Sequence, residues 1–338
     1  MQVALLVKSH ANARYAQSLQ KLAALECNCL LFALNATAKI TYEELAGTTF
    51  LMLEIDELSP QTWSYLSRHS ALSFAAIRQE EWLKPIALTP AAYLEPDLAQ
   101  VLKYKGKTNA DFTAMMLHCA RAASKFALSE EPLTVMDPVC GRGTSLFCAL
   151  TEGDHAVGMD VDEAALHEAD VYFERYLQYH RYKHSRQERS LTVRKGGAFR
   201  EISFTLANNA ESYKRGNTRT LRLIRGDIAH INEAVGTGFC HLMVGDLPYG
   251  VQHAPKEGRG VSSLEALLHA ALPACYQALK RGGAIALAFN TYTLPKTALI
   301  QAMKDSGLTP LVEPPFHDFS HWVEQAVNRD MVVAVKQA

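Results

Sequence analysis

The sequence predicts an α/β protein built on a doubly wound, mostly parallel sheet, and three observations carry that prediction. From Leu133 onward, short apolar runs alternate with stretches of helical periodicity. A glycine-bearing turn, Cys140-Gly141-Arg142-Gly143-Thr144, separates the first run from its helix. Acidic residues recur at the carboxyl ends of successive predicted strands, at Asp137, Asp160, Asp227 and Asp246.

The elements follow in order. LTVMD (133–137) leads through the turn into a helix at TSLFCALTE, and HAVGMDVD with the helix EAALHEADVYFERYLQYH makes a second βα unit, N-capped by Asp162. TLRLIRGD, CHLMVGDLP, GGAIALAFN and RDMVVAVK read as later strands, the last closing a sheet edge, with a helix at SSLEALLHAALPACYQALK. Between the halves, SLTVRK and REISFTLA flank Gly196-Gly197, the pattern of an inserted β-hairpin within a basic insertion at about 176–220. Upstream, residues 1–98 read as a separate small α/β domain, with strands at VALLV, CLLFAL and TTFLMLEI and a helix from Asn12 to Leu25. A stretch from Pro85 to Pro96 marks the boundary with a larger domain, 99–338, which opens on a helix over 109–127 capped by Asn109.

Composition bounds the rest. A chain of 338 residues with 48% hydrophobic and 20% charged residues can bury a sizeable core. No run approaches the roughly 18 uncharged apolar residues of a membrane span, and the first residues lack a signal-like pattern, so a cytoplasmic location is expected. The seven cysteines are scattered, Cys27 and Cys29 being the one close pair, so neither disulfide nor metal is expected. The net charge of -1 conceals an asymmetry: residues 1–100 hold 7 Lys/Arg against 10 Asp/Glu, whereas residues 175–225 hold 13 against 3. A nucleic-acid partner would therefore meet the middle of the chain.

The turn at 140–144 carries the first chemical signal. Gly141 and Gly143 let the backbone bend tightly and approach a ligand, helix N-terminal amides can hold a carboxylate, and Asp137 can receive an ammonium group. Any tight βα turn would share part of that pattern. Asp160 stands where a ribose diol would lie, and Asp227 where the exocyclic amine of an adenine could be bound. The absence of G-x-G-x-x-G argues against a dinucleotide, and a nucleoside with an amino-acid tail fits better. The fourth strand ends Asp246-Leu247-Pro248-Tyr249-Gly250. A planar amine must shed a proton as it attacks a sulfonium methyl, so acceptors aimed at its N–H bonds help. Asp246 and the Leu247 carbonyl can supply them, Pro248 fixes the backbone, and Tyr249 can stack on a base. The plainer reading is a proline loop with a packing tyrosine. Arg181, Lys183 and Arg186, interleaved with Tyr179, His180 and Tyr182, suit a phosphate-tracking surface, and Lys256 and Arg259 could close over substrate. A solvated face used for self-association is the alternative, which leaves monomer and homodimer open.

DPVCGRGT, GMDVD, RGD and DLPYG, in this order and spacing, resemble the amino-directed class I S-adenosylmethionine (SAM)-dependent methyltransferases, whose motifs read DPxCGxGT and [DN]PPY. Within that class the chain is most similar to the THUMP-related tRNA guanine-N2 methyltransferases, some of which carry DLP[FY]G. Leu247 stands where the commoner motif has its first proline. The segment Tyr104-Lys105-Gly106-Lys107-Thr108-Asn109 with Phe112, and the ending VNRDMVVAV, also look like that group. The resemblance covers about residues 103–338. It implies a Rossmann-like seven-stranded sheet of order 3-2-1-4-5-7-6. It also implies a SAM pocket formed by Thr108, Phe112, Asp137, Cys140, Gly141, Gly143, Thr144, Asp160, Val161, Asp227 and Ile228, catalysis by Asp246 to Tyr249, and an RNA partner such as tRNA. Residues 1–98 lie outside the resemblance and depart from that group, being acidic and short for its THUMP domain, so that an RNA-binding domain there would be a degenerate one. Adenine N6 or cytosine N4 in DNA, or a protein, peptide or small-molecule amine, would suit the same chemistry. A non-catalytic nucleic-acid-binding scaffold is the rival outside enzymology, and the intact acidic set weighs against it.

Overall fold

The protein is described by a computed structural model covering residues 1–8, 13–88, 92–102, 107–193, 197–248 and 260–338, with the backbone alone for 13–17, 193, 197–198 and 260–263. The chain begins with β1 (Gln2–Val7), α1 (Ala13–Ala33), β2 (Lys39–Leu45), β3 (Thr48–Glu54), α2 (Pro60–Leu66), β4 (Leu72–Gln79) and β5 (Trp82–Pro85). These five strands form an antiparallel sheet of order β2-β3-β1-β4-β5. CLLFAL, expected as a strand, is the last turn and a half of α1. A continuous apolar run has no period to separate helix from strand, and here it is apolar on two sides because the helix serves two cores. Cys27, Leu30 and Leu31 face the N-terminal sheet, whereas Leu22 and Cys29 pack into the core of the larger unit.

The larger unit comprises α3 (Leu98–Val101), α4 (Ala110–Ala123), β6 (Thr134–Asp137), α5 (Thr144–Thr151), β7 (His155–Asp160), α6 (Glu163–Tyr179), β8 (Lys183–Val193), β9 (Gly197–Ala207), α7 (Ala210–Lys214), β10 (Arg219–Arg225), α8 (Ile231–Val235), β11 (Cys240–Asp246), α9 (Gly260–Ala278), β12 (Leu279–Asn290), α10 (Lys296–Asp305), β13 (Thr309–Leu311), β14 (His321–Glu324) and β15 (Val327–Val335). Its sheet is mixed and has ten strands rather than seven, in the order β13-β15-β12-β11-β6-β7-β10-β9-β8, with β14 also on β15. The strands from β12 through β11, β6 and β7 to β10 are parallel. The hairpin β8–β9 joins antiparallel to β10, and its turn at 194–196, where Gly196 falls, lies outside the described residues. β15 does not close the sheet: it lies between β12 and β13, so the shorter β13 takes the edge.

Period-two alternation sends each strand's side chains to opposite faces. Val135, Leu242, Val244, Ala284 and Ala286 face α4 and α5, while Met136, Met243, Ile285 and Leu287 face α9 and α10. Burial on both faces explains the near-continuous apolar runs in the sequence. All seven cysteines are buried free thiols. Among the described residues, no helix is long and apolar enough to cross a membrane, and no group of three or more His, Cys, Asp or Glu is placed to hold a metal.

The two sheets are joined through α1 and α4 by buried charge. Glu26 of α1 accepts from His118 Nδ1 at 2.6 Å, from the Ser70 amide at 2.9 Å and from the Ser70 hydroxyl at 2.6 Å. The other ring nitrogen of His118 reaches Glu152 at 2.7 Å, and Arg121 pairs with Asp154 one turn along α4. Lys8 adds an ion pair with Asp111 at 2.7 Å. Burial opposes charge on His118, but Glu152 and Glu26 on either side outweigh it and push its pKa up to about 10. Burial likewise opposes charge on Glu26, yet His69, His118 and Ser70 hold it down to about 2.

His118, raised from 6.5, contributes stability that is fully present below that value and fades as pH rises through about 10. Glu26, lowered from 4.5, contributes stability present above that value and lost as pH falls through about 2. His118→Leu should therefore cost about 3–5 kcal/mol at pH 6 in urea unfolding, because it strands buried carboxylates. The deficit relative to wild type should shrink between pH 7 and 10, and a constant deficit would mean that His118 acts by packing alone.

Candidate active site at the carboxyl edge of the sheet

Winding of the sheet reverses at β6, which pairs with β7 on one side and β11 on the other. Crossovers lead away from that point in both directions, the arrangement in which ligands of such sheets bind beyond the carboxyl ends of the strands, here those of β6 and β11. Asp137, Asp160 and Asp246 are the last residues of β6, β7 and β11, and Asp227 follows β10 by one residue beyond Gly226. The sheet thus brings all four acidic residues to one edge.

The turn after β6 is held from below. Cys140 donates its amide to Met159 at 3.0 Å, and Gly143 donates to Cys140 at 2.7 Å. Gly141 and Gly143 adopt φ of +49° and +84°, a region costly for residues with a Cβ. Among the described residues, a Cβ on Gly141 would meet nothing within 4 Å. Gly143 is the N-cap of α5, and Thr144 and Ser145 are buried in its first turn. Cys140 is 6% exposed and packs against Gly158, and burial pushes its thiol well up.

Asp137 is 5% exposed. It accepts from the Val139 amide at 2.9 Å and from the Ser145 hydroxyl. Burial pushes its pKa up to about 7 against those two hydrogen bonds, and Asp160 and Asp246 add to the rise. Asp160 accepts the Gly141 amide at 2.7 Å and the Asp162 amide at 2.9 Å, which ties the second strand's end to the turn. Asp162 caps α6, accepting from Ala164 and Ala165. Val161 is exposed at its side. Asp227 is exposed and also caps the short turn at Ile228–His230 through the Ala229 amide at 2.9 Å, with Ile228 buried behind it.

Asp246 is approached from two other elements. The Thr108 hydroxyl, just before α4, donates to Oδ2 at 2.5 Å, and the Arg329 guanidinium of β15 lies 3.4 Å from the same oxygen. Arg329 lies over the Phe112 ring at 5.1 Å, and the His321 ring tilts on Phe112 at 4.9 Å. Phe112 is thus buried as the seat for these side chains. Burial holds His321 down to about 4, so its ring is neutral near neutral pH. Leu247 is buried with its amide fixed to Ala288 at 2.9 Å, and Pro248 follows it. Tyr249, Lys256 and Arg259 lie outside the described residues.

Arg329, His321 and Ser145 were missed as site residues. Arg329 stands in VNRDMVVAV, but nothing in its spacing ties it to a strand end some eighty residues earlier. The basic insertion also departs from expectation, because most of its arginines are spent internally. Arg186 forms a two-pronged bond with Asp170 at 3.0 and 2.8 Å, so it braces the hairpin on α6. Arg189 and Arg222 share Glu201, and Arg200 and Arg225 share Glu163. Arg181 and Lys183 are exposed.

No family profile matches the sequence, and no curated protein matches it. Solved structures similar in fold include magnesium protoporphyrin IX methyltransferase from Synechocystis with bound SAM (13% identity, 69% of this chain and 87% of that one, TM-score 0.39). A ribosomal protein L11 methylase from Lactobacillus delbrueckii is similar at 12% identity over 68% and 80% of the two chains, TM-score 0.37. A TehB-like SAM-dependent methyltransferase from Corynebacterium glutamicum is similar at 13% identity over 62% and 84%, TM-score 0.35. At these scores the likenesses bear no weight; strand order and site geometry do.

The turn is tightly seated on β7, and Gly158 sets the fit. A Cβ there would fall 2.5 Å from Leu146 Cδ1 and 2.6 Å from Cys140 Sγ. Gly158→Ala should destabilise the protein by about 1–3 kcal/mol, measured by urea unfolding. An unchanged midpoint would show that the turn moves freely.

Proposed function

We propose that this protein transfers the methyl group of SAM to an exocyclic amino nitrogen of a nucleic-acid base, with guanine N2 in tRNA the first substrate. The observation that carries the reading is that Asp137, Asp160, Asp227 and Asp246 stand at one edge of the sheet, with the glycine turn after β6 tied to Asp160, at the point where the winding reverses. Within the ten-stranded mixed sheet, the run β10-β7-β6-β11-β12-β15-β13, wound both ways from β6, supports this reading.

The residues fit SAM chemically. A buried carboxylate at Asp137 suits its ammonium, Asp160 its ribose diol and exposed Asp227 its adenine amine, while Gly141 leaves room for the tail. Thr108, Phe112, Cys140, Gly143, Thr144, Val161 and Ile228 complete this pocket. SAM supplies an electrophilic methyl on a sulfonium. The chain's own part is to bind, orient and accept. Thr108 and Arg329 fix the Asp246 carboxylate through Oδ2, so that it can accept an N–H of the base amine. The Leu247 carbonyl, directed by the bond from its amide to Ala288 and by Pro248, accepts the second N–H. Tyr249, outside the described residues, would supply a ring for the base to stack on. The proton that the amine releases leaves by way of Asp246 or water.

Four outcomes test this reading. Incubation with methyl-labelled SAM and, separately, tRNA, ribosomal RNA, genomic DNA or a protein lysate should place label in N2-methylguanosine of tRNA. Label in another amine would replace the substrate, and none would remove the function. SAM at about 100 times its Kd should raise stability by roughly 2.7 kcal/mol. Asp246→Ala should keep that stabilisation while turnover falls by about 100-fold or more; losing both would give Asp246 a binding role. Finally, Asp137 must be ionised to receive an ammonium, and its pKa stands near 7. SAM affinity should therefore climb about tenfold per pH unit from 5 to 6.5, and Asp137→Asn should flatten that slope.

A further inference from the structure

The paired arginines of the insertion make its remaining cations conspicuous. Arg175, Arg181, Lys183 and Lys214 are exposed, and among the described residues none has a carboxylate partner. They gather where α6 ends and β8 begins, with α7 laid on β8 by the Tyr213 hydroxyl, 3.3 Å from that of Ser185. In their midst the Tyr179 ring is 84% exposed. Behind it His180 and Tyr182 lie nearly parallel, 5.4 Å apart with 11° between planes, and Tyr179 meets His180 edge-on at 5.0 Å. Tyr176 anchors this stack by donating to Asp97 at 2.5 Å. Arg181 holds φ of +57°, a left-handed turn unusual for a residue with a long side chain, which carries the chain from α6 straight into β8.

The location matters as much as the chemistry. Lys183 pairs with Ala207, and the neighbouring Leu206 pairs with Arg219 at the start of β10, so the patch lies at the amino edge of the sheet. α6 runs 17 residues away from the edge that bears Asp160, a distance of about 25 Å. The patch therefore cannot touch the base being modified.

We infer that this surface is a second, distant contact for the RNA substrate, in which Arg181 and Lys183 hold backbone phosphates and an unpaired base stacks on Tyr179. Exposed cations beside an unstacked ring are complementary to a polyanion whose bases present flat faces. The inference rests on the base-modifying reading of the carboxyl edge and sharpens it: the substrate is a folded RNA large enough to reach both edges, not a nucleotide or a small amine.

The experiment compares wild type with a Tyr179→Ala/Arg181→Asn/Lys183→Ser variant, using the full chain with SAM and an in vitro transcribed tRNA as probe. Fluorescence anisotropy should show tRNA binding weakened about tenfold or more, with the salt dependence of log K shallower by about two. KM for tRNA should rise by the same factor while kcat at saturation and thermal stabilisation by SAM stay unchanged. Unchanged affinity and salt slope would overturn the inference, with methylation of tRNA left standing. A wild type that binds tRNA through the patch but labels none of it would overturn the functional reading instead. Light scattering showing a wild-type dimer that becomes a monomer in the variant would assign the patch to self-association and overturn the RNA contact.

Discussion

The reversal of winding between β6 and β11 is the constraint on which the rest depends. Parallel strands can be joined only by crossovers, and crossovers that diverge from adjacent strands leave the ground between them uncovered. That gap lets a deeply buried carboxylate, Asp137, and a partly exposed one, Asp246, stand at neighbouring strand ends. There too the turn at Gly141 stands clear of the other described residues while its amide is tethered to Asp160.

α4 carries this constraint into the rest of the molecule. The residues before and within its first turns hold Asp246 through Thr108 and seat Arg329 through Phe112, while its middle is gripped by Glu26, Glu152 and Asp154. Because Glu26 belongs to α1, the N-terminal sheet is tied by buried charge to the helix that orients the acidic edge. A clamp of this kind contributes little net stability compared with an apolar contact of the same size, but it tolerates only one register.

Much of the larger unit was legible because each buried strand is short, apolar and punctuated by Gly, Asp or Pro, and the acidic strand ends were visible for the same reason. The antiparallel strands β2, β4 and β5 were not, since their alternation is broken by polar residues such as Glu43, Glu44 and Ser73. CLLFAL was misread because a helix sandwiched between two cores loses its polar face. Arg186, expected on a phosphate-tracking surface, is instead paired, because its partner, Asp170, is brought to it by a helix–hairpin contact that sequence order does not disclose. Charge counting found the basic segment correctly but could not separate arginines that build the hairpin from those that solvent sees.

The burial of every cysteine has a practical corollary. Burial pushes the thiols of Cys27, Cys140, Cys148, Cys240 and Cys275 upward, away from the reactive thiolate form. Alkylating reagents can then enter only when a layer of the fold opens, and the thiols are distributed over α1, α4, the glycine turn, α5, β11 and α9. The chain thus carries its own set of reporters, each marking the moment at which its particular layer parts, without any label having to be introduced.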